Sequence, residues 1–193
     1  MSVAQSHLDF PSNLPVPVDD GACAHLNGIT LPSFTLTSTS AGTVDLSSLK
    51  GLTIVFCYPR TGAPGETVPE SWNLIPGARG CTPQACSFRD TSAELRGLGV
   101  SHIFGFSTQD TAYQAELKER LHLPYDLLSD EELKWAEALK LPTFEWEGRR
   151  LVKRLAIAVE DGKIVKTWYP IFPPDRSAHE VIEWLKGAKK ASE

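Results

Sequence analysis

The run Leu52-Thr-Ile-Val-Phe-Cys57-Tyr58, closed by Gly51 on one side and Pro59 on the other, limits this chain more than any other stretch. It is too short for a helix, rich in β-branched and aromatic residues, and apolar without alternation, so it reads as a central strand. A strand buried on both faces needs other strands beside it and helices over it. The chain that follows supplies them. After a loop dense in proline and glycine over 59–80, Ala85, Phe88, Leu95 and Leu98 recur at near-helical spacing. Pro83 is tolerated only in a first turn, which places the helix start at about residue 82. Cys81 then stands at the helix start.

The alternation continues with a strand over 100–107, a helix over 110–122 carrying Tyr113, Leu117 and Leu121, and a short strand near 126. Ser129-Asp-Glu-Glu132 and Ser177-Ala-His-Glu180 both have capping-box spacing and are expected to open helices. Between them, Leu151 to Val159 and Lys163 to Trp168 flank Asp161-Gly162, a two-residue hairpin signal. Upstream, Phe34, Leu36, Val44 and Leu46 alternate around a Ser-Ala-Gly turn and read as a first hairpin. The order is therefore β-β-β-α-β-α-β-α-β-β-α. It suggests a thioredoxin-like α/β fold, a central mixed sheet with helices on both faces in a three-layer sandwich. The expected organisation is an extended N-terminal arm over 1–27, where Pro11, Pro15 and Pro17 fall with no hydrophobic period, and one domain over 28–193. A loop of this length inside a compact domain is usually functional.

Composition narrows the function. The 193 residues carry 19 Lys plus Arg against 24 Asp plus Glu, a net −5 without any block of like charge, so a nucleic-acid surface is not expected. No run reaches the roughly 18 apolar residues of a membrane span. The first Lys or Arg is Lys50, so the N-terminus lacks the cationic region of a targeting peptide, and a cytoplasmic protein is expected. Four cysteines, Cys23, Cys57, Cys81 and Cys86, are too sparse for a disulfide framework.

The chemistry concentrates in Gly80-Cys81-Thr-Pro-Gln-Ala-Cys86-Ser-Phe-Arg-Asp90. A free thiol has a pKa near 8.5, so only about 3% is the reactive thiolate at pH 7. A helix N-terminus and a nearby Arg stabilise that anion, and Cys81 is placed to receive both. Cys86 lies five residues on, about 140° around a regular helix and ~7.5 Å along it. That exceeds the roughly 7 Å that a disulfide spans, so bridging the pair requires the first turn to unwind. The plain alternative, two small buried hydrophobes, sits poorly with a Gly-flanked helix start. Zinc would need a second close pair of ligands, which neither the other cysteines nor the scattered histidines offer, so no metal and no cofactor is expected. A phosphate loop lacks its Gly-Lys-Ser/Thr, and Arg89 falls eight residues after Cys81 where a Cys-x5-Arg loop needs six. Cys57 reads as a core residue of its strand, and Cys23 carries no assigned role.

Residues 80–90 resemble the signature of the peroxiredoxin family, in its bacterioferritin-comigratory or PrxQ branch, at every defined position. Leu31-Pro-Ser-Phe-Thr-Leu36, Phe56-Cys-Tyr-Pro59 and Leu128-Ser-Asp130 extend the resemblance from about Gly28 to Leu185. The resemblance implies a thiol peroxidase that reduces hydrogen peroxide and organic hydroperoxides. Cys81 would be the peroxidatic cysteine, Cys86 the intrachain resolving cysteine, and thioredoxin or a similar dithiol protein the reductant. It also implies an Arg on the strand before the Asp161-Gly162 hairpin that stabilises thiolate and peroxide; Arg154 matches, with Arg149, Arg150 and Lys153 as rivals. The family places a Thr or Ser three residues before the peroxidatic cysteine and Pro four before that, where this chain has Ala78 and Leu74. An insertion of about 62–78 separates Tyr58-Pro-Arg-Thr61 from Gly80-Cys81, which leaves Thr61, or Thr82, to supply the hydroxyl. A monomer or weak homodimer is expected. The competing function is a thiol-disulfide oxidoreductase or redox relay, although its usual spacing is Cys-x-x-Cys and here it is Cys-x4-Cys.

Overall fold

The computed structural model describes residues 13–190. In chain order the elements begin with β1 (Leu36–Ser38), β2 (Gly42–Val44) and β3 (Leu52–Cys57), followed by α1 (Glu70–Asn73) and α2 (Cys81–Gly97). They continue with β4 (Val100–Ser107), α3 (Thr111–Leu121), β5 (Asp126–Ser129) and α4 (Lys134–Ala138). Four strands, β6 (Thr143–Trp146), β7 (Arg149–Val152), β8 (Leu155–Glu160) and β9 (Lys163–Trp168), precede the last helix, α5 (Ser177–Lys190).

Seven strands form one mixed sheet in the order β2-β1-β5-β4-β3-β8-β9. β3, β4 and β5 run parallel, whereas β8 and β9 on one side and β1 and β2 on the other are antiparallel. The thioredoxin-like reading thus holds, and the Leu52 run is an interior strand. Its side chains alternate between two cores because successive residues of a strand point to opposite faces. Ile54, Phe56 and Tyr58 join Cys81, Ala85 and Phe88 of α2 and Val181, Ile182 and Leu185 of α5. Val55 and Cys57 join Trp135 and Leu139 beneath the opposite face. Cys23 and Leu26 are buried in that second core, so the arm expected over 1–27 packs onto the domain by residue 23, and its first twelve positions lie outside the described residues.

Three elements escape the sequence pattern. α1 lies inside the stretch expected to be loop. β6 and β7 form a separate two-stranded hairpin around Glu147-Gly148, which adopt φ of 48° and 72°. Glu-Gly is a weaker hairpin cue than the Asp-Gly at 161–162, which is why it went unread. The segment Leu151 to Val159, expected as one strand, is therefore two, and Lys153-Arg154 is the break between β7 and β8.

Both capping boxes need correction. Ser129 ends β5, paired with Ser107 and Thr37, and its hydroxyl donates to the Gln109 carbonyl at 2.6 Å. α4 begins five residues later, and the Asp130 carboxylate accepts from the Trp135 and Ala136 amides at 3.2 and 2.8 Å. A helix does start at Ser177, but Ser177 already has helical angles after a 3-10 turn over Pro174–Arg176. Its hydroxyl serves Gln84 instead.

The close fit between β4 and its neighbours fixes one residue. A methyl group at Gly105 would sit 2.4 Å from Leu127 Cδ2 and 2.9 Å from Phe56 Cζ. Phe56 cannot retreat, because its ring stacks on Phe88 at 4.3 Å and meets the edge of Tyr125 at 5.6 Å. Gly105→Ala is expected to destabilise the fold by about 1–3 kcal/mol through overpacking, read as a lower urea midpoint at unchanged m-value.

Candidate active site

Three segments meet at the N-terminus of α2: the chain after β3, the end of the insertion, and the bend between β7 and β8. Gly80 makes the corner with φ of 101°, a left-handed conformation that glycine adopts without strain. Cys81, Thr82 and Pro83 then form the first turn. First-turn amides have no partner inside a helix, so the missing N–H of Pro83 costs no hydrogen bond there. The Gln84 amide closes the turn on the Gly80 carbonyl at 3.1 Å. Cys81 is only 4% exposed.

Arg154 leaves the bend on the same side of the sheet as Ala156 and Ala158, which pack in the core that holds Cys81. It is itself 4% exposed. Nη2 lies 3.2 Å from Cys81 Sγ and also donates to the carbonyls of Ala78 at 3.0 Å and Arg79 at 3.2 Å. Nε donates to the Gly77 carbonyl at 3.2 Å, and Nη1 to Gln84 Oε1. Gln84 is held from behind, its Nε2 donating to Ser177 Oγ at 3.2 Å. The guanidinium thus meets three carbonyls, one amide oxygen and one sulfur, with no carboxylate among them. The rival cations are engaged elsewhere: Arg150 pairs with Glu137, Lys153 with Asp20 at 2.9 Å, and Arg149 is exposed.

Thr61 and Thr82, the two residues left to supply a hydroxyl, both line the hollow beside Cys81. A cavity of about 30 Å³ is lined by Cys81, Thr61, Thr82, Gly80, Arg79, Gly62, Arg60, Val68 and Trp72. Thr61 is buried, with its amide and hydroxyl donating to Gln109 Oε1 at 2.9 and 3.2 Å while Gln109 Nε2 donates to its carbonyl at 3.1 Å. Its hydroxyl hydrogen is thereby directed at Gln109, which leaves the oxygen lone pairs as acceptors. Ala78, at the position of the family hydroxyl, contributes its backbone: its carbonyl accepts from both Arg154 and the Cys81 thiol, the latter at 3.6 Å.

Cys86 is half-buried on the same unbroken helix, and burial pushes its thiol up, more than the positive charge of Arg89 pulls it down. Burial pushes Cys23 up to about 12 and Cys57 well above the usual thiol range, which makes both poor nucleophiles. All four thiols are free. Among the described residues, no cluster of three or more His, Cys, Asp or Glu could hold a metal.

Sequence reading brought Cys81, Arg154 and Thr61 forward, and the structure gathers them. It missed Gln84 and Gln109, which orient Arg154 and Thr61. For Gln84 a signal was present: it lies at i+3 from Cys81, on the same helical face, so whatever meets the sulfur meets this amide as well. For Gln109, which is 48 residues from its partner, there was none.

The redoxin family model matches residues 26–182. Peroxiredoxin Q of Gentiana triflora, named as chloroplastic, is 27% identical over 94% of this chain and 78% of its own length. Peroxiredoxin Bcp of Bacillus subtilis is 29% identical over 80% of this chain and 91% of its own. The crystal structure of the peroxidoxin BcpB of Mycobacterium tuberculosis superposes with a TM-score of 0.67 at 26% identity, covering 83% of this chain and 96% of that one. With strand order, helix placement and the residue 80–90 signature all in agreement, this chain belongs to the redoxin family, in the neighbourhood of its peroxiredoxin Q and Bcp members.

Proposed function

We propose that this chain is a thiol peroxidase in which Cys81 reduces a hydroperoxide, Cys86 resolves the product within the chain, and a thioredoxin-like dithiol protein restores both thiols. The observation that carries the reading is the buried Arg154 guanidinium at 3.2 Å from Cys81 Sγ with only neutral oxygen acceptors otherwise. A buried cation whose other hydrogen-bond partners are neutral is placed to stabilise negative charge on the sulfur as the reaction proceeds.

The thiolate attacks one peroxide oxygen. A sulfur–oxygen bond forms as the O–O bond breaks, and the departing alkoxide, or hydroxide from hydrogen peroxide, takes a proton and leaves as alcohol or water. Arg154 stabilises negative charge on sulfur and on the breaking bond, and the Thr61 oxygen accepts a hydrogen bond from the peroxide O–H. The Cys86 thiol then condenses with the Cys81 sulfenic acid, giving a disulfide and water. A reduced dithiol returns two electrons and two protons by exchange through a mixed disulfide. The relay alternative would require a protein disulfide to reach a cysteine that is 4% exposed.

The exposed large apolar side chains among the described residues are Val16, Val18, Leu74 and Val165, without an aromatic. That suits a monomer or weak dimer better than an obligate one. No helix among the described residues is long and apolar enough to cross a membrane, and four free thiols suit a reducing compartment such as the cytoplasm.

One equivalent of hydrogen peroxide added to the reduced protein is expected to remove two hydrogens from the intact mass and to link Cys81 to Cys86 in the peptide map. Cys81→Ser should abolish this and all turnover, whereas Cys86→Ser should still consume one peroxide per chain. Peroxide turnover persisting in Cys81→Ser overturns the assignment.

Burial raises the Cys86 thiol, so at neutral pH it is protonated and must ionise to attack. After stoichiometric oxidation, the disulfide-forming step should therefore quicken about tenfold per pH unit between pH 6.5 and 8. Quenched-flow mass analysis reads it directly, and a flat profile counts against Cys86 thiolate as the attacking group.

Arg154→Gln removes the charge beside the sulfur and is expected to lower the second-order rate constant for Cys81 oxidation by about 100- to 1000-fold, the range for loss of one preorganised donor. Arg154→Lys keeps the charge but not the planar fork, and should fall between the two.

A further inference from the structure

The insertion does more than separate Thr61 from Gly80. It builds a roof over the sulfur. Trp72, on α1, is 5% exposed and lines the small cavity together with Val68 and Arg60. Its ring meets Trp146 of β6 edge-on at 4.9 Å and Phe144 at 5.9 Å, and Leu151 of β7 and Ala78 complete the cluster. The Arg60 guanidinium lies over both indoles, 4.9 Å from Trp146 and 5.8 Å from Trp72. Glu66 fastens Arg60 at 2.6 Å while accepting from the Ala63 amide at 2.7 Å and the Tyr113 hydroxyl at 3.1 Å. Burial opposes the Glu66 charge, but these donors outweigh it and hold its carboxyl below the usual range. The roof is thus tied to the separate hairpin, to α3 and to the insertion itself.

The space beneath it is small. About 10–15 Å³ of such volume holds one water, so the cavity of about 30 Å³, which is open to solvent on one side, takes the two peroxide oxygens between its walls and leaves any substituent to pass outward beside Trp72 and Arg60. The larger hollows nearby do not include the sulfur. A cleft of about 350 Å³ outside shares only Arg60 with the cavity. An apolar groove of about 380 Å³, lined by Ile75, Phe144, Arg154 and Ile171 among others, has none of the cavity's residues in its wall. Neither of these two hollows offers an alkyl or aryl substituent a space whose wall includes Cys81.

We infer that Trp72 and Arg60 act as a size filter that makes hydrogen peroxide the preferred substrate and excludes bulky organic hydroperoxides from Cys81. The inference rests on the peroxidase reading above and narrows the broad substrate range that the family resemblance implies. The filter acts on the first step, in which the Cys81 thiolate takes one peroxide oxygen and the other leaves as water; a bulky group must displace an indole held by three aromatic or cationic contacts before that geometry is reached.

The test compares second-order rate constants for oxidation of the reduced full chain by hydrogen peroxide, tert-butyl hydroperoxide and cumene hydroperoxide, in wild type, Trp72→Phe and Trp72→Ala. The wild type should prefer hydrogen peroxide over cumene hydroperoxide by 100-fold or more. Trp72→Ala should cut that ratio at least tenfold by accelerating the bulky substrate, with Trp72→Phe between. If Trp72→Ala does not fold, Glu66→Gln frees Arg60 without emptying the cluster, and the same narrowing is expected. A wild-type ratio within tenfold, or a ratio unmoved in a folded variant, overturns the filter while leaving the peroxidase intact. Failure of the folded, reduced wild type to react with hydrogen peroxide at all overturns the peroxidase reading itself, and the filter with it.

Discussion

A buried guanidinium normally faces a carboxylate, because desolvating an unpaired cation is costly. Arg154 has carbonyls, an amide oxygen and a sulfur. Those neutral partners satisfy its donors without neutralising its charge, so a thiolate on Cys81 is the counter-charge that the arrangement can provide. The same five contacts are also the structural joint of the site. They bind the bend before β8 to residues 77–79 at the end of the insertion, to the first turn of α2 and, through Gln84 and Ser177, to the start of α5. Fold and chemistry converge on one side chain.

That convergence explains how the site tolerates Ala78. The side-chain hydroxyl is gone, but the backbone carbonyl at that position still accepts from Arg154. Its path is fixed by the acceptors at 77, 78 and 79, and the side chain there has only to be small, which suits a residue 1% exposed. In the proposed site the place of that hydroxyl is taken by Thr61, whose position is set by three hydrogen bonds to Gln109 just after β4. The stretch over 62–78 is anchored at both ends by groups outside it, Arg120 at the Gly62 carbonyl and Arg154 at the carbonyls of Gly77 and Ala78.

What could be read from the sequence follows the range of the interactions involved. The Leu52 strand, the α2 start, β4, α3 and the Asp161-Gly162 hairpin rest on periodicity and turn chemistry within a few residues, and all are found. The two capping boxes had correct spacing and wrong partners: the Ser129 hydroxyl donates to the Gln109 carbonyl and the Ser177 hydroxyl accepts from Gln84, across tertiary contacts that a local pattern cannot show. β6 and β7 were missed because they stand outside the main sheet and turn on Glu-Gly. Arg154 was reached through its offset from Asp161-Gly162, yet it sits on the break just before β8 and not within a strand. The roof of Trp72, Trp146 and Arg60 joins residues up to 86 positions apart, and no signal within the chain links them.

The helix that presents Cys81 to Arg154 also keeps it from Cys86, and the proposed cycle needs both conditions in turn. The first turn of α2 has no side-chain cap at Gly80 and is held by the Gln84 amide on the Gly80 carbonyl and by the contacts of the Gln84 side chain with Arg154 and Ser177. While the sulfur is a thiolate, the strongest restraint on that turn is the ionic contact with Arg154. Oxidation to sulfenic acid removes the negative charge, and a charge-assisted bond becomes an ordinary one, roughly half as strong. In the proposed cycle the chemical step therefore weakens the clamp, which favours release of the turn toward Cys86. Reduction restores it, so one arginine couples the redox state of Cys81 to the first turn of its helix.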